Sequence, residues 1–169
     1  MRLTPIAAAI SLAVAVSASS TLGQPPEPSD PQVAALIDSG RTALAAGEID
    51  AATDRFEAAL ALDPASTTAY LELAKVARAK GMQGQAIHYY REAQERDPGN
   101  LAAISGEGAA LAEKGATARA ERNLAKLQSM CGTNCAEAGE LATVIARGPV
   151  QPVKSAEANP ALAERAARN

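Results

Sequence analysis

Two cysteines are the side chains of this sequence best suited to chemistry. Cys131 and Cys135 are the only cysteines, with Gly132-Thr133-Asn134 between them. In an exported chain the pair favours a disulfide, and Gly132 permits the tight turn that a small ring requires. The alternative is a thiol-redox or redox-sensing pair, although the spacing is C-x-x-x-C rather than the C-x-x-C of thioredoxin-like sites. A metal site is not expected, because no histidine accompanies the two thiols.

Groups that could carry catalysis are sparse elsewhere. His88 is the only histidine, and Glu92 four residues on makes an ordinary surface pair with it. Gly106 and Gly108 fall in a predicted helix rather than after a strand, so they do not form a nucleotide-binding loop. The sequence therefore predicts a protein that is not an enzyme and has no cofactor, no metal and no small-molecule substrate.

Composition narrows the class of partner. The net charge is only -3 and there is no tryptophan. A net charge this close to zero and negative in sign does not favour a nucleic acid or an anionic membrane as partner. The abundance of alanine favours closely packed helices.

The N-terminal residues have the pattern of a secretion signal. Arg2 precedes the apolar run 6–16, and a stretch of small residues follows, with cleavage expected after Ala18 or Gly23. We therefore predict a signal peptide over 1–23, an exported protein that is periplasmic or secreted, and no transmembrane span after signal removal. The alternative is a single anchor helix, for which the apolar run is short. Residues 24–31 read as a Pro-rich linker.

The elements that position these residues follow a repeat of 34 residues. The pairs related by this spacing are Gly47 and Gly81, Ala52 and Ala86, Phe56 and Tyr90, Ala59 and Ala93, and Pro64 and Pro98. The frame continues more weakly through Gly115, Ala120 and Leu124. A fixed period of this length indicates stacked helix-turn-helix units, which usually bind other proteins.

Seven helices are predicted within a repeat domain over 32–147. Their bounds are about 31–46, 49–62, 67–80, 83–96, 101–114, 118–130 and 135–146. Asp30, Ser66, Asn100, Thr117 and Asn134 are the predicted N-caps, the last with Glu137 as capping-box partner. Residues 148–169 are predicted to be a mobile C-terminal tail.

The units resemble tetratricopeptide repeats. The middle unit carries the pattern in Tyr70, Leu73, Ala74, Ala77, Gly81, Ala86, Tyr90, Ala93 and Pro98, and the first unit matches nearly as well. Ser39 stands where the pattern has Leu in the first unit, and Glu107 does so in a degenerate third unit. The resemblance implies an all-α helical-hairpin solenoid of about three repeats with a C-terminal capping helix, similar to small exported bacterial proteins of this family.

The resemblance also implies where a partner binds. In this family the first helix of each repeat lines a concave peptide-binding groove, which here implies Ile37, Arg41, Leu44, Leu71, Lys75 and Arg78. Arg41 and Lys75 are equivalent positions, so they are expected to form a paired cationic site for an acidic segment. The alternative is that these cations are merely solvated.

The function implied is a protein- or peptide-binding adaptor or assembly factor of the bacterial cell envelope. A redox role for Cys131 and Cys135 is the alternative, and a self-associating structural subunit is a third possibility. Reversing the charges of Arg41 and Lys75 is expected to weaken capture and to leave the melting temperature nearly unchanged.

Overall fold

A computed structural model of the chain describes residues 30–132 and 135–150. The predicted signal peptide, the linker up to residue 29 and residues 151–169 lie outside the described residues. Among the helices of the described ranges, none combines the length and the apolar character needed to cross a membrane.

Seven helices and no strand make up the described part of the chain, so the predicted all-α solenoid is confirmed. Neighbouring helices in sequence form antiparallel hairpins, and the hairpins stack in chain order. The helices are α1 Pro31–Ala45, α2 Ile49–Leu62, α3 Thr67–Ala79, α4 Gln83–Arg96, α5 Leu101–Glu113, α6 Thr117–Cys131 and α7 Ala136–Arg147.

Helix starts fall into two kinds. The first helix of each hairpin has a side-chain cap: Asp30, Ser66 and Asn100 each accept a hydrogen bond from a backbone N–H of the first turn, as predicted. Thr117 was wrong as a cap, because α6 already includes it and Ala116 is the N-cap. The N-cap of α7 is Cys135 rather than Asn134, which lies outside the described residues.

The second helix of each hairpin has no side-chain cap, and a backbone hydrogen bond closes the turn before it instead. The N–H of Ala116 donates to the carbonyl of Leu111 at 2.8 Å, and the equivalent bond joins Met82 to Ala77 at 2.9 Å. Gly115 has a φ of 88° in this turn, as its repeat equivalents also have positive values. The tight turn leads directly into the next helix, whose N-cap (Glu48, Met82 or Ala116) makes no side-chain capping hydrogen bond.

The core lies both within each hairpin and between adjacent hairpins. Ala52, Ala86 and Ala120 are each 0% exposed, which fits their predicted place at the closest helix approaches. Phe56 is fully buried, and a Cβ added to Gly40 would stand 2.5 Å from its ring. The aromatic rings therefore occupy space that small residues leave open.

The last helix closes the stack. Leu141 and Ala138 of α7 are buried against Ile104 and Leu127. The hydroxyl of Ser105 donates to the carbonyl of Glu137 at 3.0 Å, which ties α5 to α7. Beyond α7, the N–H of Val150 donates to the carbonyl of Glu113 at 3.1 Å, so the chain crosses back to the end of α5.

Candidate functional site: a groove between α3, α5 and α7

A groove of about 630 Å³ runs between α3, α5 and α7, and it is the candidate functional site. Small residues of α5 and the buried ring of Tyr90 form its floor, while longer side chains of α3 and α7 form its two walls. The lining residues are Lys75, Arg78, Tyr90, Ala102, Ser105, Gly106, Ala109, Ala136, Glu137, Glu140, Leu141, Thr143, Val144 and Arg147.

The residues of α7 are the part of this site that sequence reasoning missed. Treating α7 as a cap leaves one wall of the groove out of the predicted set. The 34-residue frame contains the missing signal, since Ala102, Gly106 and Ala109 are followed 34 residues later by Ala136, Glu140 and Thr143, all of which line the groove. Because α7 lies beside α5 as α5 lies beside α3, it extends the concave face by one helix.

Arg41 and Lys75 do lie near each other, but Glu72 lies between them. Oε1 of Glu72 accepts from Nε of Arg41 at 3.0 Å and from Nζ of Lys75 at 3.1 Å. The Glu72 side chain is only 5% exposed, whereas those of Arg41 and Lys75 are 49% and 53% exposed. Asp38 also pairs with Arg41 at 3.4 Å, so two carboxylates balance the two cations, and both cations keep a solvent-facing side.

This cluster changes what a charge reversal does. Replacing Arg41 and Lys75 by glutamate would leave the buried carboxylate of Glu72 beside like charges and without a partner. Because the two cations are about half exposed, solvent screens the pair and the loss is smaller than for a fully buried pair, but the buried carboxylate would still be destabilised. These contacts lead us to expect that the double reversal lowers the melting temperature instead of leaving it unchanged, so neutral substitutions are the better probes of this face.

Arg78 is also paired within the chain. Its Nε and Nη2 atoms donate to the two carboxylate oxygens of Glu113 at 2.9 and 2.6 Å. These hydrogen bonds raise the pKa of Arg78 above its ordinary value. Burial raises the pKa of the neighbouring Tyr90 phenol, which is neutral at physiological pH. Arg78 therefore links α3 to α5 across the end of the groove and is a bidentate pair rather than a free cation.

The predicted apolar residues take different places. Ile37 is 6% exposed and packs with Val33 and Phe56 in the core. Leu44 and Leu71 are half-buried against the core clusters. Of the six predicted groove residues, Lys75 and Arg78 line the groove. A role for the other four in binding stays a prediction.

The carboxylate of Glu107 is hydrogen-bonded by side chains of the neighbouring helices α4 and α6. Its carboxylate accepts from Nε of Arg91 at 2.8 Å, Nε2 of Gln94 at 3.0 Å and Nδ2 of Asn123 at 3.2 Å. Burial acts to raise the pKa of Glu107, but these hydrogen bonds outweigh it and hold the pKa below its ordinary value. The side chain therefore joins α4, α5 and α6 on the side away from the groove lining.

Cys131 and Cys135 are joined by a disulfide in the structure. Both are half-buried, and Cys135 packs against the cluster that contains Leu127 and Leu141. Neither cysteine is among the residues that line the groove. The bond thus tethers the start of α7, one wall of the groove, to the end of α6.

Comparisons with known proteins agree with this geometry. Residues 67–100 match the family model of the tetratricopeptide repeat. This segment, which contains α3 and α4, is similar to a tetratricopeptide repeat. A search of curated protein sequences found no match.

Solved structures share the fold of this repeat protein. The Yersinia enterocolitica type III secretion chaperone SycD in complex with a peptide of the translocator YopD is 26% identical, with a TM-score of 0.61, over 72% of this chain and 92% of that chain. The first repeat domain of Spaghetti (RPAP3), bound to the HSP90 peptide SRMEEVD, is 19% identical, with a TM-score of 0.62, over 69% and 92%. The Arabidopsis OM64 repeat domain is 17% identical, with a TM-score of 0.62, over 69% and 95%.

Proposed function

We propose that this protein binds a segment of another protein in the groove between α3, α5 and α7. The observation that carries the proposal is the groove itself, with its floor of small apolar residues between two walls of charged side chains. Such a floor admits large side chains of a partner, and the charged walls restrict which segments fit. SycD with a YopD peptide and RPAP3 with an HSP90 peptide support the proposal, since both share this fold and hold peptides.

The biological setting we propose is the bacterial cell envelope, in which the protein acts as an adaptor or assembly factor. The signal-like residues 1–23 support export to the periplasm or beyond. The paired cysteines support the same compartment, because disulfides persist where thiols are oxidised. The proposed activity is binding, and the proposal assigns no reaction to the groove.

The exposed sides of Arg41 and Lys75 are proposed to help capture an acidic stretch of the partner. Asp38 and Glu72 balance the two charges, but the side chains of Arg41 and Lys75 are each about half exposed and can reach a partner. Exposed charges of this kind mainly alter association rate and selectivity, with an effect of roughly 0.2–1 kcal/mol each. Replacing Lys75 with glutamine keeps the Arg41–Glu72 pair and should weaken capture modestly.

The decisive experiment is an affinity capture from envelope extract with the mature protein as bait. Ala102 is exposed on the groove floor, so Ala102→Trp should fill the groove without disturbing the core. Ala118→Trp, on an exposed position of α6 that does not line the groove, is the matched control. The proposal requires a captured protein to be lost with Ala102→Trp and kept with Ala118→Trp; equal capture by both variants contradicts it.

A further inference from the structure

We infer that residues 151–169, the C-terminal segment, bind in the groove of the same molecule and compete with outside partners. The inference rests on the proposed function, because it assigns an internal competitor to the same groove. It commits to this segment as the occupant on the basis of where the described chain leads, how far the remaining chain reaches and how its charges match the walls.

The chain passes the end of the groove at its last described residues. The N–H of Val150 donates to the carbonyl of Glu113, whose side chain holds Arg78 of the groove wall. Pro149 also approaches Gly115, with its Cγ atom 3.8 Å from where a Cβ of that glycine would stand. Arg147, three residues before Val150, lines the groove, whereas Pro149 and Val150 line a neighbouring cavity at the α3–α4 turn; the C-terminal segment therefore starts at the same end of the helices as Arg147.

The segment is long enough to follow the groove. The floor helix α5 has 13 residues, which corresponds to a length of about 20 Å. An extended chain over residues 151–169 reaches roughly 60 Å. A tether of this kind gives a local concentration on the order of millimolar, so even a weak intramolecular contact is populated.

The chemistry of the segment matches that of the groove. Leu162 is its largest apolar side chain, which suits the floor of Ala102 and Ala109. Lys154, Arg165 and Arg168 are its basic residues, and Glu157 and Glu164 are its acidic residues. The basic residues complement Glu137 and Glu140 on the α7 wall, while the acidic residues complement Lys75 on the α3 wall and Arg147 at the end of α7.

The consequence is competition for the groove without a change of fold. A partner occupies the groove only when it binds strongly enough to displace the tethered segment, so weak and incidental ligands are excluded. Because the competition is intramolecular, its strength does not depend on protein concentration. Changes that weaken the segment should then raise the affinity for any ligand of the groove.

The test uses a labelled synthetic peptide of residues 151–169 added to the full mature chain. It should bind the Leu162→Asp chain about tenfold more tightly than the unchanged chain, because the altered segment no longer competes at its millimolar local concentration. Ser155→Asp adds the same charge to the segment without removing Leu162, and it should leave the affinity near that of the unchanged chain. Equal affinity for the unchanged and Leu162→Asp chains, or no binding to either, overturns the inference.

Two further measurements locate the contact. Adding Ala102→Trp to the Leu162→Asp chain should abolish peptide binding, whereas adding Ala118→Trp should not. Zero-length carbodiimide coupling of the unchanged chain should join Lys154 to Glu137 or Glu140 within a monomer, and Leu162→Asp should reduce that product several-fold. Product that is unchanged by Leu162→Asp contradicts docking. None of these readouts needs an outside partner, so this inference and the proposed function fail separately.

Discussion

At the scale of single residues, Gly106 sets how closely α4 and α5 approach beneath the groove. A Cβ at this position would collide with the ring of Tyr90, which is itself 2% exposed. The ring forms part of the groove floor, so the glycine fixes the depth of the site as well as the packing. Gly139 is a helical glycine on α7 with nothing within 4 Å of an added Cβ.

We predict that Gly106→Ala destabilises the protein by about 1–3 kcal/mol, because the buried Tyr90 ring must move. Gly139→Ala is the matched control and should be neutral or stabilising by up to ~1 kcal/mol, since alanine favours helix where there is space. Urea unfolding of both variants measures the difference. Equal midpoints for the two would show that α4 and α5 are not in close contact at Tyr90.

A second prediction at this scale concerns Glu107 and acid. Its folded pKa lies below its ordinary value of 4.5, so its ion pair and hydrogen bonds stabilise the fold fully above about pH 4.5. That contribution is lost as the pH falls through the lower folded pKa. Glu107→Gln should therefore cost about 1–3 kcal/mol at pH 7 and progressively less below pH 4.5.

Unfolding free energies of the unchanged and Glu107→Gln chains, measured from pH 7 down to pH 3, check this dependence. Glu121→Gln, at an exposed position of α6, is the control and should change stability little at any pH. A Glu107→Gln deficit that stays constant over the whole range would mean that the folded pKa is not depressed.

At the scale of helices, the repeat places alanine at fully buried positions. Ala86 is 0% exposed among α3, α4 and α5 residues. We predict that Ala86→Leu destabilises the fold by about 1–3 kcal/mol through overpacking. Ala125→Leu, on the exposed side of α6, serves as control and should be nearly neutral. Urea unfolding decides, and an unchanged midpoint for Ala86→Leu would contradict the packing of the repeat frame.

The last helix is held by both packing and a covalent bond. Leu141 is 0% exposed, and the disulfide fixes the start of α7 to the end of α6. Replacing both cysteines with serine should cost about 2 kcal/mol, because the bond closes a short loop. Leu141→Ala should cost more, about 2–5 kcal/mol, because it removes the buried anchor.

Calorimetry of the two variants shows which change lowers the stability of the fold more. Thiol titration of the unchanged protein in a glutathione buffer tests the alternative redox role. A disulfide that resists the buffer fits a structural tether, whereas ready and reversible reduction favours the redox-active pair. Full retention of stability in the double serine variant would contradict the tether.

At the scale of the whole molecule, the sequence predicted the fold far better than the site. Turn glycines, closing prolines and buried alanines recur every 34 residues, so the helices and their order follow from local pattern. The groove depends on which side chains meet across repeats. Glu72 joins Arg41 and Lys75, and Glu113 joins Arg78, through contacts that no local pattern specifies. Periodicity locates a concave face but does not show which of its charges are already paired.

The location of the whole protein is the final prediction. The chain has Arg2, the apolar run 6–16 and a stretch of small residues before a Pro-rich segment, which together favour export and cleavage. We predict a mature protein that starts near Ser19 or Gln24 and leaves the membrane fraction. Mass measurement of protein recovered from the native envelope checks this directly. A control chain with Leu12→Arg, which interrupts the apolar run, should stay unprocessed. Recovery of the unchanged chain in the membrane fraction with Met1 intact would contradict cleavage, and it would mean that the run acts as an anchor that holds the groove beside the membrane.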